Sequence, residues 1–261
     1  MEGRLSIVTV ALLALALLTT PFAAGAADWR ATDRTSARLA EAANGKKITE
    51  GFFGAVAIGF LANTGNTRNT SLNAKVSAGY LTGRWRHVGA VKAIYGSNFD
   101  ETTAEEYDVS EQTDYATGER SYVFGAFDYN TNRFGPYRRR ASEVIGTGRR
   151  VLDSEMHILD LQIGVGARQT QLHEGGESEE TIVSVTGNYD WLINPDSNFS
   201  QRVNVQAGQD NTYTESVSTL KVKIEDGVSL AVSFTVKHNS EVPDDRTHTD
   251  TSTLVSLIYG F

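Results

Sequence analysis

From Gly51 to Phe261 the chain alternates apolar and polar residues in long segments, and that period of two limits the folds open to it more than any other feature. In the run from Asp160 to Arg168, Leu161, Ile163, Val165 and Ala167 fall on one face, and Asp160, Gln162, Gly164, Gly166 and Arg168 fall on the other. A helix would mix these sets at every turn, whereas a strand keeps them apart. The same separation holds for Val228, Leu230, Val232, Phe234 and Val236 against Ser229, Ala231, Ser233, Thr235 and Lys237. It holds again for Leu72, Ala74, Val76, Ala78 and Tyr80 against Ser71, Asn73, Lys75, Ser77 and Gly79. About twelve such segments can be marked, near 51–62, 69–81, 84–97, 105–117, 120–133, 139–150, 156–171, 180–191, 199–210, 213–224, 228–238 and 248–261. Globular strands usually run to about five or six residues, whereas a tilted strand crossing a bilayer needs about ten. The expected fold is therefore all-β: a transmembrane antiparallel up-and-down barrel of about twelve strands, its even count placing both ends on one side.

The connections support this reading. Leu81–Arg84, Thr117–Glu119, Leu152–Ser154, Asn194–Ser197 and Glu225–Gly227 have the residues of compact turns, and between them lie more polar stretches at Asn98–Glu105, Phe134–Arg139, His173–Glu179 and Asn239–Thr247. Short turns on one side and longer loops on the other are usual for outer-membrane barrels. Tyr80, Trp85, Tyr95, Tyr107, Tyr115, Tyr129, Tyr189, Trp191 and Phe199 lie near segment ends, where aromatic rings meet the headgroup level, although hairpin pairing alone also favours them. In the last segment Thr253, Val255, Leu257, Tyr259 and Phe261 form one apolar face that runs to the final residue. Outer-membrane barrels resemble this ending. Val255, Leu257, Tyr259 and Phe261 are therefore expected to be an assembly signal read by the barrel-assembly machinery.

Three parts are expected: a signal peptide over 1–26, a periplasmic lead-in over 27–50 and the barrel over 51–261. Ile7–Leu18 is an apolar run behind Arg4, too short to span as a helix, and Ala24 and Ala26 match a signal-peptidase site. Export would place the chain in the bacterial outer membrane. The chain has no cysteine, so its stability cannot rest on disulfides. A net charge of -8 argues against nucleic acid as a partner. The mean hydropathy of -0.29 is what alternating faces average to.

The stretch Gly51–Thr67, with its glycine-rich strand running into Asn63-Thr64-Gly65-Asn66-Thr67 and then Thr70-Ser71-Leu72-Asn73, resembles the opening of the salt-induced outer-membrane protein family (YdiY-like, domain of unknown function 481). Ala93-Ile94-Tyr95-Gly96 and Asp128–Phe134 are similar to later segments of that family. The resemblance covers about 51–261 and implies location and fold. It implies no substrate, and a role in salt stress rests on the family name alone. Read physically, Asn63–Thr67 is a turn whose polar groups either bond local backbone or touch lipopolysaccharide or solute.

Little in the chain points to catalysis or to a cofactor. His87, His157, His173, His238 and His248 lack zinc-protease spacing, and His238 with His248 are either neighbours across the last hairpin or two surface residues. The acidic loop clusters at Glu174–Glu180 and Glu241–Asp245 are either solvated or would hold a divalent cation against lipid phosphates. Arg138-Arg139-Arg140 would either grip lipopolysaccharide phosphates or serve solubility. Ser216 or Ser218 cannot be joined to His238 by sequence alone, and no nucleophile motif is present. No enzyme and no cofactor are expected. The alternation turns Lys75, Lys92, Asp108, Asp114, Asp128, Asp160, Arg168, Asp190, Arg202, Lys221, Lys223 and Lys237 inward. Buried charges need partners or water, so these residues either pair across a closed lumen or line a wet one. The expected function is a narrow passive pore for ions or small solutes, or a stress-related barrel that stabilises the envelope. The alternatives are an outer-membrane lipid-modifying enzyme and a surface-binding barrel, the latter disfavoured by the short loops. The expected partners are outer-membrane lipids, lipopolysaccharide and the assembly machinery.

Overall fold

The computed structural model describes residues 50–64, 69–98, 101–173, 175–244 and 246–261. The expected signal peptide, nearly all of the lead-in and the Gly65–Thr67 part of the family-like turn lie outside the described residues. Twelve strands follow one another: β1 (Gly51–Thr64), β2 (Asn69–Thr82), β3 (Trp85–Asn98), β4 (Glu101–Ala116), β5 (Ser121–Asn132), β6 (Arg139–Asp153), β7 (His157–Gln171), β8 (Glu177–Asn194), β9 (Ser197–Ala207), β10 (Thr212–Glu225), β11 (Val228–Asn239) and β12 (Thr249–Gly260). Each pairs antiparallel with its sequence neighbours, and β1 pairs with β12, so the sheet closes on itself. Closure satisfies the backbone ladder all the way round, the condition for a strand structure to sit in lipid.

The seam between the first and last strands is tight. Gly54 N–H donates to the Phe261 carbonyl at 2.9 Å and Phe261 N–H donates back to the Gly54 carbonyl at 2.9 Å. The Phe261 ring lies over Gly54, where a Cβ would stand 2.7 Å from the ring edge. The missing side chain on β1 therefore makes room for the ring that ends the molecule.

Alternation puts the apolar set outside. Ile145, Leu161, Ile163, Val165, Val232, Val255 and Leu257 are all exposed on the outer wall, as membrane contact requires. Aromatic rings collect at two levels. At the end with the compact turns, Phe52 and Tyr80 meet as tilted rings with centres 4.3 Å apart, as do Trp85 and Tyr115 at 4.8 Å and Tyr259 and Phe261 at 6.5 Å. At the loop end Tyr95 and Tyr107 are exposed. Trp85 and Tyr95 lie ten residues apart on one face of β3. At about 3.3 Å per residue and a tilt near 40°, that separation spans roughly 25 Å, the height of an outer-membrane apolar band.

The turns sit where the sequence places them, and Gly83 (φ 53°) and Gly227 (φ 82°) supply left-handed backbone at two of them. One expected loop is different. Most of the polar stretch Asn98–Glu105 is strand, because Glu101–Glu105 extend β4 against β3, with a register shift at Gly96/Ser97. Polarity there marks a hairpin that continues past the apolar band.

Candidate functional site

The site is the lumen, built from the inward half of every strand. At the turn end it is packed solid. Phe53, Leu81 and Val88 form one apolar cluster, and Tyr122, Phe124, Val144 and Ile182 form another. The strands allow this because glycines stand opposite the largest rings. Gly79 faces the Phe53 ring and Gly148 the Tyr122 ring, each too close for a Cβ. Ion pairs are set among these residues. Arg86 bonds Asp114, which also accepts from Gln112 Nε2 at 2.8 Å, and Arg150 Nε meets Asp160 Oδ1 at 3.1 Å. Gln162 donates to the Tyr122 hydroxyl at 2.9 Å. Asp190 and Lys221 are buried on the inner face of the same half.

Toward the loops the lumen is polar and looser. Lys92 lies 2.5 Å from Asp108 and 3.5 Å from Glu106, while Lys237 reaches Glu106 at 3.0 Å from the far wall. Asn130 and Asn132 donate to Glu106 at 3.2 and 2.9 Å, and Asn130 also bonds Asp108. Lys75, Asp128 and Arg202 sit at inward positions yet keep accessible surface inside the barrel. Between the two halves is a cavity of about 20 Å³ lined by Asp128, Arg202, Gln112, Asn204 and Thr186 among others, room for about one water molecule. Higher up, Arg168 is fully enclosed, bonding Glu180 at 2.5 Å and the carbonyls of Gln206 and Asn211.

Two loops meet over the mouth. The Tyr137 hydroxyl donates to the Glu241 carbonyl at 2.5 Å, and Arg246 Nη1 donates to the Phe134 carbonyl at 3.1 Å. Burial pushes the Tyr137 phenol up from its ordinary range. Arg140 lies between the Tyr137 and Tyr213 rings, 4.4 and 4.8 Å from their centres, and donates to Asn239 at 3.0 Å.

Of the twelve inward charges expected from sequence, Lys223 lies at the turn-end rim and bonds Asp226 at 2.6 Å. The others occupy inner-wall positions. The sequence reading did not place Arg86, Glu106, Arg140, Arg150 or Glu180 among the inward charges, although they carry much of the bonding. Their alternation was available, since Arg86 shares the face of Lys92, and Glu106 the face of Asp108. Arg138–Arg140 do not act as one basic patch: Arg139 turns outward to Glu177 at 3.1 Å while Arg140 enters the lumen. Ser216 and Ser218 bond Gln201 at 2.9 and 2.5 Å on the outer wall, and His238 bonds Thr249 instead. The rings of His238 and His248 stand 6.1 Å apart, and no metal-ligand cluster occurs among the described residues.

A closed antiparallel barrel with an apolar belt, two aromatic levels and a polar lumen defines a transmembrane barrel of the outer-membrane type. Among solved structures the chain is similar to the NanC porin, with a TM-score of 0.55 over 78% of this chain and 98% of that one at 10% identity. It is also similar to the COG4313 outer-membrane channel from Pseudomonas putida F1, with a TM-score of 0.50 over 83% and 97% at 10% identity. These likenesses are of fold. Sequence is more specific: residues 56–261 match the family described as "Protein of unknown function, DUF481". The chain is 30% identical to the "Uncharacterized protein YdiY" of Escherichia coli (strain K12), across 88% of this chain and 90% of that protein. The chain belongs to the DUF481 family.

Proposed function

We propose that this protein is a narrow outer-membrane channel for ions and very small solutes. The observation that carries this reading is the presence of Lys75, Asp128 and Arg202 on the inner wall with accessible surface left inside the barrel. A barrel filled only for rigidity has no need of wet charges in its lumen. The small central cavity and the packed turn end make the path tight, so sugars and peptides are excluded while hydrated ions pass when the turn-end side chains move. The fold shared with porins and channels is consistent with this.

The second reading, a stress-related barrel that stabilises the envelope, draws support from the bond between Lys237 and Glu106, which ties opposite walls together. Single-channel recording of refolded protein in a planar bilayer separates the two. Discrete steps of low conductance with a salt-dependent ion preference are expected of the channel. Stable insertion without steps would overturn it in favour of the stabilising barrel. Outer-membrane lipids and lipopolysaccharide would surround the wall, and the Val255–Phe261 face would present the assembly signal.

A further inference from the structure

Several charges on the inner wall are matched by the strand next door. Arg86 stands opposite Asp114, Lys92 opposite Asp108, Arg150 opposite Asp160 and Arg168 opposite Glu180. Each of these couples also makes an ion pair. Asp128 and Arg202 depart from that pattern. Asp128 has Ser110 and Ser142 opposite it on its two flanking strands, and Arg202 has Asn188 and Val217. Those neighbours carry no charge. Among the described residues, neither the Asp128 nor the Arg202 side chain has an ion-pair partner within 4.0 Å or a hydrogen bond. Both keep accessible surface inside the barrel.

The two unmatched charges come together at one place. Both line the central cavity, Asp128 from β5 and Arg202 from β9, four strands along the wall. A carboxylate and a guanidinium thus border one small space without closing on each other. The rest of the lining is neutral, and part of its donor capacity is already committed. Asn204 Nδ2 donates to Ser184 at 3.2 Å and to Thr186 at 2.7 Å, and Gln162 donates to the Tyr122 hydroxyl at 2.9 Å. The carbonyl oxygens of these amides are left as acceptors. A lone cation at this place gains Asp128 and those oxygens but is opposed by the guanidinium, and a lone anion is opposed by the carboxylate. A solute that carries both charges answers both groups at once and leaves neither without a partner in a confined space.

We propose that this cavity is a binding site for a small zwitterion, an α-amino acid of the size of glycine, with its ammonium group on Asp128 and its carboxylate on Arg202. The planar guanidinium fork matches a carboxylate, and the ammonium N–H groups left over from Asp128 find the amide oxygens beside it. As it stands the cavity, about 20 Å³, holds roughly one water molecule. Glycine enters when Arg202 draws back by a change of rotamer, which no bond on that side chain opposes. Phe124 and Val144 complete the lining, so a bulky side chain on the amino acid would collide with them. The site deepens the channel reading and rests on it for the solute's passage, though not for its binding.

The test compares glycine with its two halves. Refolded barrel in an uncharged detergent is mixed with glycine, with acetate or with methylammonium, and saturation transfer from protein to solute is followed by NMR. Glycine should bind measurably and each half about tenfold or more weaker, because each half loses one charge-assisted contact. Asp128→Asn and Arg202→Gln, with folding checked by mobility on unheated gels, should each weaken glycine by about the same factor. Lys223→Gln, at the turn-end rim, should leave glycine binding unchanged. Equal glycine binding in wild type and in both folded variants would overturn the proposal. Acetate or methylammonium binding as well as glycine would overturn it too, by making the site one for a single charge. Single-channel recording tells the two readings apart. Steps that glycine does not interrupt, with no binding by NMR, would sink the site and keep the channel. Glycine binding that either variant abolishes, in a barrel without steps, would keep the site and sink the channel.

Discussion

The two halves of the lumen use the same chemistry in different surroundings. At the turn end the side chains of Arg86 and Asp114 are 3% and 0% exposed, and Arg150 and Asp160 are each 3%. At the loop end Lys92, Glu106, Asp108 and Lys237 keep 26%, 13%, 27% and 28%. The first pairs are arginine–carboxylate bonds wedged among rings, where an unmatched charge has no water to turn to. The second group is a shared network of lysines and carboxylates with asparagines filling the gaps, so partners can be exchanged. The difference teaches that an ion pair in a barrel is a structural wedge where it is dry and, on the channel reading proposed above, a selectivity element where it is more accessible.

The comparison breaks most visibly if its dry side is cut. Asp114→Ala leaves the Arg86 guanidinium without its carboxylate and should cost about 3–5 kcal/mol, read as a lower urea midpoint for the refolded barrel in micelles. A loss no larger than that of a surface pair would show that water reaches the turn end. Gly148→Val comes next. Its side chain would enter the space of the Tyr122 ring, and such overpacking should cost about 1–3 kcal/mol by the same unfolding measurement. Glu106→Gln, on the wet side, should change stability by no more than about 1 kcal/mol. It releases Lys92 and Lys237 from their shared carboxylate, so the reversal potential in a salt gradient should move toward anions. An unchanged potential would place the selecting charges elsewhere.

Much of this architecture is legible in the sequence because a period of two has a single geometric meaning. The outward faces of β7, β11 and β12 follow from the positions of Leu161, Leu230 and Leu257 and their neighbours, and no distant contact is needed to assign them. The lumen is harder to read. That Lys237 meets Glu106 depends on how far the ladder shears before β1 finds β12, and no local segment encodes that offset. Arg140 between two tyrosines was hidden for the same reason, since Tyr137 comes from a loop and Tyr213 from a strand four places along the wall.

The pairing of β1 with β12 also has a consequence in time. β1 has no permanent neighbour on one side until β12 arrives, so this one pairing spans nearly the whole length of the barrel sequence. Every intermediate is a curved sheet with two open edges, each able to template a foreign strand. Closure is then a single late event that removes both edges at once. A barrel of this kind has few stable partial forms: it is either an unfinished sheet in need of protection or a completed ring.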